Sequence, residues 1–211
     1  MLINWVGFST ETKRLQRTTT VTFISQFFNT AFLLLLVGAD MSEQPITFWL
    51  TGGQFSDFNS AWFRSIGNVI IGTMYFYAWF PIIEALGYLG LRLLFRILDR
   101  GCSCDRYKTK KTSIQSYLDT YTGPVYLMHY KYSTILTVVH VTMMYGLGMP
   151  ILFPIACLSF VILYFQEKTM LYYGYRVPPM YDERLSQNVL DRLQTAPILL
   201  MVFGYWMASN Q

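Results

Sequence analysis

The chain has 211 residues, of which 53% are hydrophobic, 18% aromatic and only 13% charged. Soluble domains carry roughly 25% charged residues, so this composition excludes a soluble globular protein and implies an integral membrane protein. The net charge of +4 implies no nucleic-acid partner: basic residues beside helix ends hold loops at a face rich in anionic lipid, and no aromatic-interleaved basic surface is evident.

Residues 1–17 form a leader with Glu11, Lys13, Arg14 and Arg17 ahead of any long apolar run. A secretory signal would place a short apolar region before a small-residue cleavage site. Ala39 imitates such a site, but the preceding run contains Gln26 and Asn29 and follows a long charged leader. The run is therefore retained as a first crossing over Thr18–Gly38. Gln26 and Asn29 are spaced i,i+3 and share a helix face. Interhelical hydrogen bonding and pore lining stand as equal alternatives for them.

The second segment covers Ser65–Gly90 and continues as an interfacial helix to Asp99. Pro81 is expected to kink it. Glu84 follows Trp79 and Pro81; an intramembrane carboxylate is costly, so it lines a hydrated vestibule or pairs with Arg92 or another helix. Arg92 and Arg96 lie i,i+4 among Leu91, Leu93, Leu94, Phe95, Ile97 and Leu98, the pattern of an amphipathic helix bedded in a leaflet. Such a helix couples to bilayer tension, although any juxtamembrane helix shares its composition. Cys102 and Cys104 sit in the basic loop that follows, and Cys157 lies in an apolar segment. Three such cysteines make no disulfide framework and no zinc site. Free thiols are favoured over palmitoylation.

From Tyr132 to Phe165 no Asp, Glu, Lys or Arg occurs. A bilayer takes about 20 apolar residues per helix, so this run is too long for one crossing. Gly146, Gly148, Pro150 and Pro154 interrupt its middle. Either two helices meet there in a tight turn or one element kinks, and the freed backbone groups need protein or water around them. The third segment is read as Lys131–Met149 and the fourth as Pro150–Tyr172. His140 lies near the centre of the third, with Ser133, Thr137 and Thr142 nearby. His129 lies outside the membrane core, so no metal site is expected, and helix packing is favoured over pore lining for His140. In the fourth segment Ser159 and Tyr164 stand in apolar surroundings. Glu167 and Lys168 mark its exit, as a snorkelling pair or as a cation-concentrating mouth. Pro178 and Pro179 stop helix continuation in the next loop, and a short fifth segment runs from Ala196 to the end.

This makes an all-α, polytopic membrane helix bundle of about five transmembrane helices with a Gly/Pro-broken helical hairpin. Residues 18–211 are its transmembrane domain. Lys13, Arg14 and Arg17, the loop basics Arg92 to Lys111, and Lys168 to Arg192 then fall on one side. Asp40, Glu43 and Asp57 fall on the other, with Arg64 as its one basic residue. The positive-inside rule makes the basic side cytosolic and places the N-terminus there. No catalytic triad, phosphate loop, zinc-protease or dinucleotide motif occurs, so neither an enzyme nor a cofactor is expected.

The register Pro150-x-x-x-Pro154-x-Ala156-x-x-x-Phe160-x-x-x-Tyr164, with Lys168 after it, resembles a pore helix of the OSCA-type hyperosmolality-gated, calcium-permeable channels, which are distantly anoctamin-like. Glu11, Lys13 and Arg14 ahead of Phe23, Phe27, Phe28 and Asn29 resemble that family's approach to its first pore helix, and Ile71-Gly-Thr-Met-Tyr with Trp79 the following one. The resemblance implies the membrane-embedded part of a mechanically or osmotically gated cation channel. Gln26, Asn29, Glu84, His140, Ser159, Tyr164 and Glu167 are the pore-lining candidates, and Gly146, Gly148, Pro150 and Pro154 form the hinge or turn. Members are several times longer, which implies that this chain is a piece of a larger protein. Expected partners are the lipid bilayer, permeating cations and a homodimer or larger assembly, in a plasma membrane. A lipid scramblase and a non-transporting membrane subunit remain as alternatives.

Overall fold

The structure, a computed structural model, describes residues 10–39, 53, 55, 57–101, 103, 109–176 and 183–209. Asp40, Glu43, Cys102, Cys104, Arg106, Lys108, Pro178 and Pro179 lie outside the described residues. Every regular element among the described residues is a helix, apart from an isolated parallel bridge between Ala39 and Phe55. The elements are α1 (Glu11–Phe27), a π-helical turn (Phe28–Phe32), α2 (Leu33–Gly38), α3 (Ser60–Trp62), a second π-turn (Phe63–Gly67), α4 (Asn68–Arg100), α5 (Ile114–Tyr121), α6 (Met128–Tyr145), α7 (Leu152–Tyr173), α8 (Arg184–Leu193) and α9 (Ala196–Ser209).

Local chemistry sets several of these boundaries. Thr10 is extended, and its hydroxyl accepts from the Lys13 amide at 3.4 Å, capping α1. The Asn59 side chain does the same for α3 through the Trp62 amide at 2.9 Å. Between α6 and α7, the Met149 amide reaches back to the Tyr145 carbonyl at 2.9 Å and the Leu152 amide to Met149 at 3.0 Å. The apolar run is therefore two helices joined by a tight turn. Pro154 falls in the first turn of α7, where a missing amide costs little. Pro81 lies inside α4, which runs on past Gly90 to Arg100.

Three helical stretches, Thr12–Gly38, Ser60–Arg100 and Leu152–Tyr173, are long and apolar enough to cross a membrane. At most 28% of each apolar window is buried, so most of that surface needs lipid around it. The protein is an all-α membrane helix bundle.

The chain divides into two compact units. The first comprises Met1–Ala78, Met128–Ser159 and Tyr181–Gln211. Hydrocarbon gives little hydrophobic drive between helices, so close packing and hydrogen bonds hold them. Ser133 on α6 donates to the Thr19 carbonyl of α1 at 2.9 Å. Phe23, Leu136 and Val189 join α1, α6 and α8 in one apolar cluster. Leu185 and Val189, one turn apart on α8, are both buried. The Phe58 ring packs edge-on against Trp62 and Trp206, with centroids 4.8 and 4.9 Å away. A methyl at Gly204 of α9 would stand 2.1 Å from the Leu147 side chain, so glycine permits that approach.

The second unit comprises Trp79–Leu127 and Phe160–Met180. Its loop is tied by charged groups. The Asp99 carboxylate accepts from the Thr109 hydroxyl at 2.7 Å, the Lys110 amide at 3.1 Å and the Tyr121 hydroxyl at 3.1 Å. Arg176 donates from Nε to the Gly123 carbonyl at 2.8 Å and pairs with Asp119 at 3.0 Å.

Candidate functional site

The helix carrying Gln26 and Asn29 does not remain α-helical through the membrane. At Phe28–Phe32 it widens by one residue into a π-turn. Such turns are frequent at functional sites, because the wider turn re-aims side chains and loosens the backbone ladder. The buried side of this turn is held by two tyrosines. The Tyr145 hydroxyl donates to the Ala31 carbonyl at 3.1 Å, and the Tyr77 hydroxyl lies 3.4 Å from the Thr30 hydroxyl.

The other side opens into a cleft of about 620 Å³. Val21, Ile24 and Phe28 form an apolar wall, while Ser25, Gln26, Asn29 and Tyr77 supply polar groups. Gln26 is half-buried, and its Oε1 accepts from the Thr137 hydroxyl of α6 at 3.3 Å. It thus ties two helices together while also lining the cleft. Asn29 is exposed and makes no hydrogen bond among the described residues. These groups are neutral dipoles. Amide and hydroxyl oxygens can replace part of the water shell of a hard cation, and none of the described residues that line the cleft carries a fixed charge.

The remaining hydroxyls of this unit are mostly spent within their own helices. Thr18, Thr19 and Thr20 donate to carbonyls four residues earlier at 2.8–2.9 Å, and Ser159 does so to Ile155 at 2.8 Å while buried. His140 is buried with both ring nitrogens engaged, Nδ1 with the Leu136 carbonyl at 2.7 Å and Nε2 with the Thr195 hydroxyl at 3.0 Å. The rings of Phe23 and Phe27 flank it, with centroids 4.7 and 5.8 Å away. That is the environment of a helix-packing residue. The interhelical turn is packed against protein: a methyl at Gly146 would meet Phe153 at 2.6 Å, and one at Gly148 would meet Met207 at 2.6 Å. Pro150 and Pro154 are exposed there.

The other candidates belong to the second unit. Glu84 and Glu167 are half-buried, and Tyr164 is exposed with the Lys168 ammonium 5.7 Å from its ring centroid. Among the described residues no group of three His, Cys, Asp or Glu side chains could hold a metal ion. Sequence reasoning missed Tyr77, Thr30 and Tyr145 as supports of the cleft. A tyrosine in an apolar helix is the signal for the first and last, since its hydroxyl must find a partner when buried. The π-turn itself leaves no mark in the residue pattern.

Apolar spanning helices with a neutral polar cleft beside a widened helical turn define the class as a polytopic membrane helix-bundle protein. Residues 1–205 match the model of a family described as "Calcium-dependent channel, 7TM region". The chain belongs to that family, in keeping with its resemblance to the OSCA-type channels, and it is a membrane calcium-dependent channel region. No curated protein and no solved structure matches the chain.

Proposed function

We propose that the chain supplies pore-lining helices of a calcium-permeable cation channel opened by bilayer stretch or osmotic load, and that the cleft beside the Phe28–Phe32 turn is part of the ion path. The observation that carries this reading is the Asn29 amide, without a hydrogen-bond partner among the described residues and exposed next to Gln26 and Tyr77 in a roughly 620 Å³ space. Polar groups at membrane depth are costly, and they repay that cost by meeting water or ions. Stretch gating is supported by the resemblance to OSCA-type channels. The exposed leucines around Arg92 and Arg96 on α4 also give the bilayer a surface to act on.

In this reading Glu84 and Glu167 attract cations, Tyr164 with Lys168 anchors its helix, Ser159 bonds within its own helix, and His140 holds helices together. Gly146, Gly148, Pro150 and Pro154 form the turn. The distribution of Lys and Arg supports a cytosolic N-terminus, and we assign the protein to the plasma membrane as a homodimer or part of a larger assembly. The reading gives the chain no chemical step to catalyse.

The test is recording from liposome patches that hold the full chain. Suction should evoke a cation current with measurable calcium permeability, and Asn29→Leu combined with Gln26→Leu should lower the unitary conductance. A chain that inserts yet stays silent under suction refutes the reading. A lipid scramblase is the second reading, favoured by the exposure of Ser25 and Asn29 beside an apolar wall, which leaves the cleft open-sided. Fluorescent-lipid movement across the bilayer without ion current would select it.

A further inference from the structure

Three arginines stand one turn apart at the end of α4: Arg92, Arg96 and Arg100. Arg92 and Arg96 each donate from Nη2 to the same acceptor, the Tyr121 carbonyl, at 2.8 Å. The guanidinium carbons of Arg96 and Arg100 lie 5.3 and 5.8 Å from the Tyr121 ring centroid. Among the described residues, one carbonyl oxygen and one ring face are the groups these three charges engage directly. Two nearby carboxylates bond other groups: Asp99 to Thr109, Lys110 and Tyr121, and Asp119 to Arg176. Among the described residues none of the three arginines has an ion-pair partner. Their Nε atoms are closed off from solvent without acceptors, and the arginines themselves are partly exposed.

Lys110 adds a fourth positive charge. Gly101 follows Arg100 at φ 61°, and the Lys110 Nζ lies 3.6 Å from the place a Gly101 methyl would occupy. Like charges gathered this closely repel strongly when partly shielded from water, so the cluster favours binding a counter-charge that the described residues do not supply. The same stretch of α4 points to the source. Leu91, Leu94, Phe95 and Leu98 are each more than half exposed, so the arginines sit beside an apolar skirt suited to acyl chains.

We propose that Arg92, Arg96 and Arg100, with Lys110 beside them, bind the phosphate monoester of a membrane lipid, a headgroup of the phosphoinositide class. A phosphate diester brings a single charge. A monoester brings about two and three strong acceptor oxygens, which matches several guanidinium forks better. This inference does not depend on the channel reading.

The experiment uses the full chain in nanodiscs of neutral phosphatidylcholine, titrated with a fluorescent short-chain phosphatidylinositol 4,5-bisphosphate and, separately, with inositol 1,4,5-trisphosphate. The lipid should bind at least about tenfold more tightly than the free headgroup, and Arg92→Gln with Arg96→Gln and Arg100→Gln should weaken it about tenfold or more. Arg100→Gln alone removes only a ring contact from the fold, so it keeps the test valid if the triple variant misfolds; it should weaken binding several-fold. Equal binding of lipid and free headgroup would overturn the membrane source. Unchanged binding in the folded Arg100→Gln and triple variants would overturn the site.

Discussion

Gly123 and Gly72 place opposite demands on the chain. A methyl at Gly123 would stand 1.7 Å from the Gly174 carbonyl oxygen, while one at Gly72 meets nothing within 4 Å. The first obstacle is backbone, which cannot swing away as a side chain does, and the Arg176 bonds to the Gly123 and Pro124 carbonyls fix the two segments together. Gly123→Ala should therefore destabilise the protein by about 1–3 kcal/mol. Gly72→Ala, inside α4, should be neutral or gain up to about 1 kcal/mol from helix propensity. Thermal unfolding in detergent measures both, and equal midpoints for the two variants would remove the Gly123 contact from the account. Individual polar residues were unevenly legible. The i,i+3 spacing of Gln26 and Asn29 put them on one face, and both line the cleft. For His140 the sequence favoured packing, but the Phe23 and Phe27 rings and the Thr195 hydroxyl around it come from other parts of the chain and were not legible.

At the scale of elements, hydropathy located the long helices well, since lipid demands unbroken apolar runs. It read the second one as continuing past Gly90 as an interfacial helix to Asp99. α4 continues as one helix to Arg100, because the amphipathic stretch after Gly90 is as helical as the apolar stretch before it and no breaker separates them. The glycine and proline cluster announced the α6–α7 turn, whose residues interrupt the amide ladder. The π-turns at Phe28–Phe32 and Phe63–Gly67 had no such signal; a one-residue widening is settled by what packs against it. Tyr145 is one such support, fully buried with its hydroxyl on the Ala31 carbonyl. Tyr145→Phe deletes that bond and leaves the carbonyl without it, at a cost of about 1 kcal/mol or somewhat more. A thermal midpoint equal to wild type would mean that the turn needs no such prop.

For the molecule as a whole, composition alone identified the solvent: 13% charged residues and apolar helix faces left bare are compatible with lipid and not with water. Family membership then assigns a calcium-dependent channel region over residues 1–205. The central claim is narrower and concerns whether the space beside Gln26 and Asn29 holds water within the membrane. It is tested by placing single cysteines in a background with Cys102, Cys104 and Cys157 replaced by serine, reconstituting the chain in liposomes, and adding a charged, membrane-impermeant thiol reagent. Asn29→Cys should react readily, while Val37→Cys, exposed on α2 and facing hydrocarbon in this account, should react only with a membrane-permeant reagent. If Asn29→Cys is as inert to the charged reagent as Val37→Cys, the cleft is dry and the ion path does not run through it.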